Sequence, residues 1–171
     1  MKTNELEVPI PSRMRKRPRF QGMVIPFTTW IHPKTHVPDF KVNDEQKRMF
    51  CITRRKCAMC GERLNKQIVF IGGPSMIEEG ALAIDVGMHP ECARYAWHVC
   101  PFMITGRGHS EHIRDHSDAG IVLHWNEIAT STAPPERMAM LTTESYEVVP
   151  VRGQLFVRPG PAVNIEWRRY P

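Results

Sequence analysis

Cys57 and Cys60, three apart in CAMCGERL, are followed after 28 intervening residues by His89 and Cys92, again three apart, in MHPECARYAW. No other feature of the chain limits its folding as strongly. Three thiols and one imidazole make a complete donor set for a tetrahedral zinc ion, and four protein ligands leave no open position for water, the mark of a structural rather than a catalytic metal. A Cys-x-x-Cys turn lets both sulfurs reach one ion, but the remote pair needs an element stiff enough to aim it. A helix start at His89 provides that. Pro90 suits the first helical position and Glu91 the first turn, so His89 and Cys92 project from one face. The spacing therefore predicts one zinc ion on Cys57, Cys60, His89 and Cys92 that builds the fold and performs no chemistry.

Competing readings of the cysteines are weaker. Five is an odd number, which argues against a framework of disulfides. A redox Cys-x-x-Cys opens a helix after a strand, whereas this pair runs into Gly61 and a turn. Cys100 lies eight residues beyond Cys92 on the same expected helix, about 12 Å along its axis at 1.5 Å per residue, too far to share the ion. It is expected to be a buried core thiol, as is Cys51 in the helix before the knuckle, and His98 a packing or surface residue.

The 171 residues suffice for one ordinary core, with 15 prolines and 11 glycines implying short elements and many turns. No stretch approaches the roughly 18 uninterrupted apolar residues of a membrane helix, and MKTNELEVPIPS lacks the apolar centre of a secretory signal. A soluble cytoplasmic protein without a membrane partner is expected. Charge is uneven: residues 13 to 66 hold 14 Lys and Arg against 4 Asp and Glu, whereas residues 67 to 171 hold 8 against 12. An anionic partner is therefore expected at the first third of the chain and the approach to the metal site.

Residues 1–20 read as a flexible basic arm, interrupted by Pro9, Pro11 and Pro18, and residues 21–171 as a single zinc-binding domain. Within it, a metal core is expected over about 43–104, a loop over about 105–140 and a C-terminal β segment over about 141–171. MVIPFTTWI and the segment near Phe40 suggest a hairpin. Asn43 with Gln46 suggests a capping box opening a helix with Met49, Phe50 and Ile52 inward and Arg54, Arg55 and Lys56 in its last turn. KQIVFIGG and GALAIDVG read as a second hairpin, YEVVPVRGQLFVRPG as a third turning at Arg152 and Gly153, and VNIEWRRYP as a final strand. Knuckle, hairpin and helix in that order give an α+β fold, a small zinc-stabilised domain with a treble-clef-like core and peripheral β-hairpins.

Other constellations carry less. His109, His112 and His116, with Asp115, have the spacing of a second, open metal site, but Gly106 and Gly108 and the lack of apolar periodicity favour a solvated loop. Arg13, Arg15, Lys16, Arg17, Arg19, Arg54, Arg55 and Lys56 have the chemistry to contact phosphates, giving salt-dependent binding with little sequence information. The chain has no phosphate-cradling Gly-rich loop before a helix and no Gly-x-Ser-x-Gly turn. A treble-clef nuclease would need a histidine base on the hairpin's first strand, and KQIVFIGG has none.

The segments SRMRKRPRFQGMVIPF, PDFKV, CAMCGERL, IGGP, MHPECARYAWHVCPF and LFVRPGPAVNIEW resemble a family of small, uncharacterised zinc-binding proteins of tailed bacteriophages, prophages and actinobacteria. The resemblance spans Pro11 to Trp167 and implies a metal-binding phage protein with Cys57, Cys60, His89 and Cys92 in matching positions; residues 109–116 and 127–147 depart from the family's pattern. It brings no activity with it. The resulting expectation is a non-enzymatic phage accessory protein that binds a macromolecule, nucleic acid first, through a basic N-terminal face. A protein-binding inhibitor of a host enzyme or defence system, with an acidic protein as an alternative partner, is the second reading, and a metal-dependent hydrolase or nuclease the third.

Overall fold

A computed structural model describes residues 8–105 and 136–169. The histidine-rich stretch with His109, His112 and His116 lies outside them, as does most of the expected loop.

The chain enters through a 3-10 turn at Ser12–Met14 and a two-residue hairpin, β1 (Arg19–Phe20) and β2 (Met23–Val24). Gln21 and Gly22 turn it with φ of +48° and +81°, the paired positive values that match a right-handed strand twist. Met14 is fully buried. Residues 12–20, expected to be part of an arm, thus send a side chain into the core, because Pro11 and Pro18 bracket a compact turn instead of extending the chain.

β3 (Thr29–Ile31) pairs antiparallel with β4 (Pro38–Asn43), forming the first expected hairpin. α1 (Glu45–Arg54) follows, and its cap is one residue later than the sequence suggested: Asp44 Oδ1 accepts from Lys47 N at 3.1 Å, while Asn43 ends β4. The inward stripe of α1 is also rotated. Arg48, Cys51 and Ile52 are buried, at the i, i+3, i+4 spacing of one helix face, and Met49 and Phe50 point outward. Arg48 is only 4% exposed. Its guanidinium is bound by Glu45 at 2.8 and 2.9 Å and donates to the carbonyls of Ile84 at 2.8 Å and Leu155 at 2.7 Å, so each nitrogen of the buried charge has a partner. Burial also pushes the Cys51 thiol up to about 12, keeping it a protonated core group.

The second expected hairpin does not form. β5 (Ile68–Gly72) runs into a 3-10 turn at Pro74–Ile77, and residues 81–87 never become a strand. Ala83 makes a single bridge to Val157 instead, and Met88, just past the run, makes another to Val69. Gly87 permits the second approach: a Cβ there would lie 2.5 Å from Ile68 Cγ2. After α2 (Pro90–Val99) and α3 (Pro101–Thr105), β5 finds its lateral partner in β6 (Arg137–Thr143), which begins before the β segment expected from residue 141. β7 (Tyr146–Val151) and β8 (Gln154–Pro159) form the third hairpin, turning at Arg152 and Gly153 with φ of +48° and +80°. β9 (Ala162–Arg169) returns beside β6, giving the sheet order β5-β6-β9.

The architecture is a small mixed α/β fold of several short sheets and few helices. α2 packs against β5, and Arg168 and Glu166 of β9 reach the same helix through Trp97 and Arg94. On the opposite face Phe70 meets Tyr146 edge-on at 6.1 Å, and the Tyr146 hydroxyl donates to Ile52 O at 2.8 Å, tying β7 to α1. No helix among the described residues is long and apolar enough to cross a membrane.

Candidate metal centre

The knuckle is a closed turn. Cys57 N donates to Glu62 O at 2.8 Å, Gly61 N to Cys57 O at 2.9 Å, and Glu62 N to Cys60 Sγ at 3.4 Å. Gly61 takes φ of +78°, and a Cβ on it would stand 2.6 Å from the Phe27 ring, so backbone conformation and space both call for glycine. From the other side, Phe27 N and Thr28 N donate to Met59 O and Ala58 O at 3.0 and 3.1 Å.

The remote pair arrives by a short route. Ala58 N donates to Gly87 O at 3.2 Å, and Met88 and Val69 exchange backbone hydrogen bonds of 2.9 Å, which place His89 against the knuckle as the residue that opens α2. Pro90 and Glu91 occupy the first turn as the sequence predicts. One ring nitrogen of His89, Nε2, lies 2.9 Å from the carbonyl oxygen of Arg63, which can only accept, so Nε2 carries the proton. That fixes the tautomer. Nδ1 is left facing the sulfurs, 3.4 Å from Cys60 Sγ and 4.0 Å from Cys92 Sγ.

The ligand atoms of Cys57, Cys60, His89 and Cys92 all lie within 4.8 Å of one another, and all four residues are buried. A tetrahedral ion with metal–sulfur bonds near 2.3 Å and a metal–nitrogen bond near 2.0 Å sets donor separations of roughly 3.5 to 3.8 Å, bracketed by the two nitrogen–sulfur distances here. The four groups could therefore hold one metal ion, and with every corner supplied by protein the arrangement suits a structural one. All five cysteines are free thiols, which leaves the expected set unoxidised.

The charges make the same point. Burial opposes ionisation of Cys57, yet hydrogen bonds from Cys60 and Cys92 and from backbone amides outweigh it and lower its pKa. Cys92 goes the other way, raised by its hydrogen bonds with Cys57 and Cys60 and by burial. The first thiolate forms readily and the next is resisted, because two negative sulfurs would share one dry pocket. A divalent cation removes that conflict.

Around the donors stands one further device. Arg13 donates from Nη1 to Glu62 at 2.7 Å and from Nε to Glu91 at 2.8 Å, bridging the residue after the knuckle glycine and the first turn of α2. Hydrogen bonds to Glu91 and Glu62 raise its pKa. Arg13 therefore serves the metal site's frame and is not an unoccupied cation. Two other basic residues are also committed: Arg17 donates to Ile25 O at 3.2 Å and lies 5.4 Å from the Phe27 centroid, and Arg55, the left-handed cap of α1, lies 4.6 Å from the Tyr146 centroid. Lys56 is half-buried and bridges to Arg63 through its backbone. Arg15, Lys16, Arg19 and Arg54 remain exposed.

The supporting residues Arg63, Phe27 and Glu62 escaped the sequence reading. Glu62 and Arg63 had only their closeness to Cys60 as a signal and Phe27 had none, since a carbonyl acceptor and a ring against a glycine leave no trace in residue type. Cys51 is buried as expected, Cys100 only half-buried, and His98 is exposed, its Nδ1 2.8 Å from Arg94 O. In comparison with known proteins, no family model matches the chain, and neither a curated protein nor a solved structure matches it.

Proposed function

We propose that the chain is a non-enzymatic, zinc-stabilised binding protein that engages nucleic acid through the exposed cations near its metal centre. The observation that carries the reading is the closed, buried set of Cys57, Cys60, His89 and Cys92, which has no corner left for a reacting water. Zinc is the ion, because three thiolates and an imidazole suit a borderline-soft cation. Knuckle, single bridge and helix form a treble-clef variant whose hairpin is reduced to the Val69–Met88 pair. Arg15, Lys16, Arg19 and Arg54 then supply phosphate contacts. The likeness to phage and prophage proteins supports a bacterial host cell as the setting and an accessory role there.

The test is metal content together with fluorescence anisotropy of a labelled oligonucleotide across a salt series. One zinc per chain is expected, with affinity falling as salt rises. Replacing Arg15, Lys16, Arg19 and Arg54 together with Ala should flatten the salt slope by about 3, the share of four phosphate contacts. A response independent of salt would remove nucleic acid as the partner. The protein-binding inhibitor remains the second reading, favoured by Val163 and Trp167, 57% and 41% exposed on the outer strand β9. Copurification of a protein partner that survives the four substitutions would support it.

A further inference from the structure

Phe50 is 45% exposed on α1, beside Met49 at 39%. A lone exposed apolar residue means little. Phe50, however, belongs to a contiguous group. Its ring is tilted 42° against the half-buried Phe27, 6.3 Å between centroids, and Phe27 carries the Arg17 guanidinium 5.4 Å away. Arg54 lies one helical turn beyond Phe50 on the same side of α1. The result is an aromatic surface flanked by cations on two sides.

The acids nearby do not cancel those cations. Asp44 caps α1 and pairs with Lys47, Glu45 holds Arg48, and Glu62 shares Arg13 with Glu91, so each of these carboxylates is already engaged by a cation other than Arg17 and Arg54. Excess positive charge around an exposed ring favours an anionic partner that also presents flat apolar faces. Nucleic acid with unpaired bases has that chemistry: a phosphate meets the exposed Arg54 while a base lies on the ring, in the positive field that Arg17 reinforces from behind Phe27. A duplex offers the phosphates alone, because its base faces are already stacked inside.

We infer that Phe50, with Phe27 behind it and Arg17 and Arg54 at its flanks, is a stacking platform for an unpaired base, and that the protein takes single-stranded nucleic acid in preference to duplex. The inference rests on the nucleic-acid reading above and narrows it. It also ties the platform to the metal. Phe27 rests on Gly61 of the knuckle, so a disordered knuckle would unseat the ring behind Phe50.

The experiment compares the zinc-loaded protein with its Phe50→Leu and Phe50→Trp variants, using single-stranded DNA, single-stranded RNA and duplex DNA of one sequence. Each single strand carries 2-aminopurine as a reporter of stacking. Wild type should bind a single strand more tightly than the duplex and quench 2-aminopurine. Phe50→Leu, which keeps apolar bulk without a ring, should lose at least about fivefold in single-strand affinity, the lower end of one stacked base, with no change in salt slope or duplex affinity. Phe50→Trp should retain both affinity and quenching. The DNA and RNA arms tell which strand is preferred. Unchanged zinc content and circular dichroism would show that Phe50→Leu is folded, as expected for an exposed position. If Phe50→Leu binds single strands like wild type, or the duplex binds as well as the single strand, the platform is overturned while the basic-face reading stands. If no oligonucleotide shows salt-dependent binding, both fall together.

Discussion

Residues 11–28 and 55–64, which surround the metal donors, contain no strand longer than two residues, whereas β7 and β8 pair over six register positions and β6 is flanked by strands on both sides. The first region is held by scattered turn hydrogen bonds and the Arg13 clamp, and it carries Cys57 and Cys60 of the candidate metal site. The second is held by continuous ladders and by side chains such as Phe70 and Phe156 that are almost wholly buried. Ordering a residue costs about 1–2 kcal/mol of backbone entropy, and a ladder returns this locally by repetition. Irregular turns have no such return, so their order depends on one concentrated source. The contrast teaches that the four candidate metal donors gather where secondary structure is thinnest.

Removing the metal should break the comparison most severely. Apparent binding free energies for structural zinc reach about 10–16 kcal/mol and are largely folding energy. Chelation, or Cys57→Ser, or Cys92→Ser, should abolish hydrogen-exchange protection over 11–28 and 55–64 and at the start of α2, with β7 and β8 losing less. Equal loss across the whole molecule would erase the distinction between the regions. A metal-free variant with full protection would contradict the metal's role.

The next effect concerns Arg48, which ties α1 to β8 of the second region. Arg48→Met keeps a long apolar stem but strands the carbonyls of Ile84 and Leu155. A loss of about 2–4 kcal/mol is expected in urea unfolding of the metal-loaded protein. A loss below about 1 kcal/mol would mean that water reaches those carbonyls.

The smallest effect sharpens the picture of the metal end. Arg13→Ala removes a partly exposed bridge, worth about 1 kcal/mol or less in stability. Because it aligns both ligand-bearing elements, metal affinity measured against a competing chelator should still fall roughly tenfold. The ladder-bound β7 and β8 should keep their exchange protection.

What could be read in advance was the chemistry that acts over a few residues. Cys-x-x-Cys with Gly61, His89 before Pro90 and Glu91, and the Arg152-Gly153 turn each announce a local geometry through residue type. What could not be read depended on distant partners. β6 lies at the middle of its sheet, yet MAMLTT shows no alternation because Ala139, Met140 and Leu141 are all buried, and it pairs with residues 68–72 and 162–169. The phase of α1 is hidden in the sequence for a related reason. Arg48 reads as a solvent-facing residue until Ile84 and Leu155 are seen to meet it, and its burial turns Met49 and Phe50 outward.

The position of β9 carries one last consequence, for a chain under mechanical load. Its final residues pair with the first residues of β6, Arg169 opposite Arg137, so tension drawn from that end would open the ladder rung by rung at low force, like a zip. Tension entering through the Ser12–Met14 turn would meet the Arg13 clamp before it met Cys57 or Cys60. Load applied at β9 would thus be released there before it reached Cys57, Cys60, His89 or Cys92.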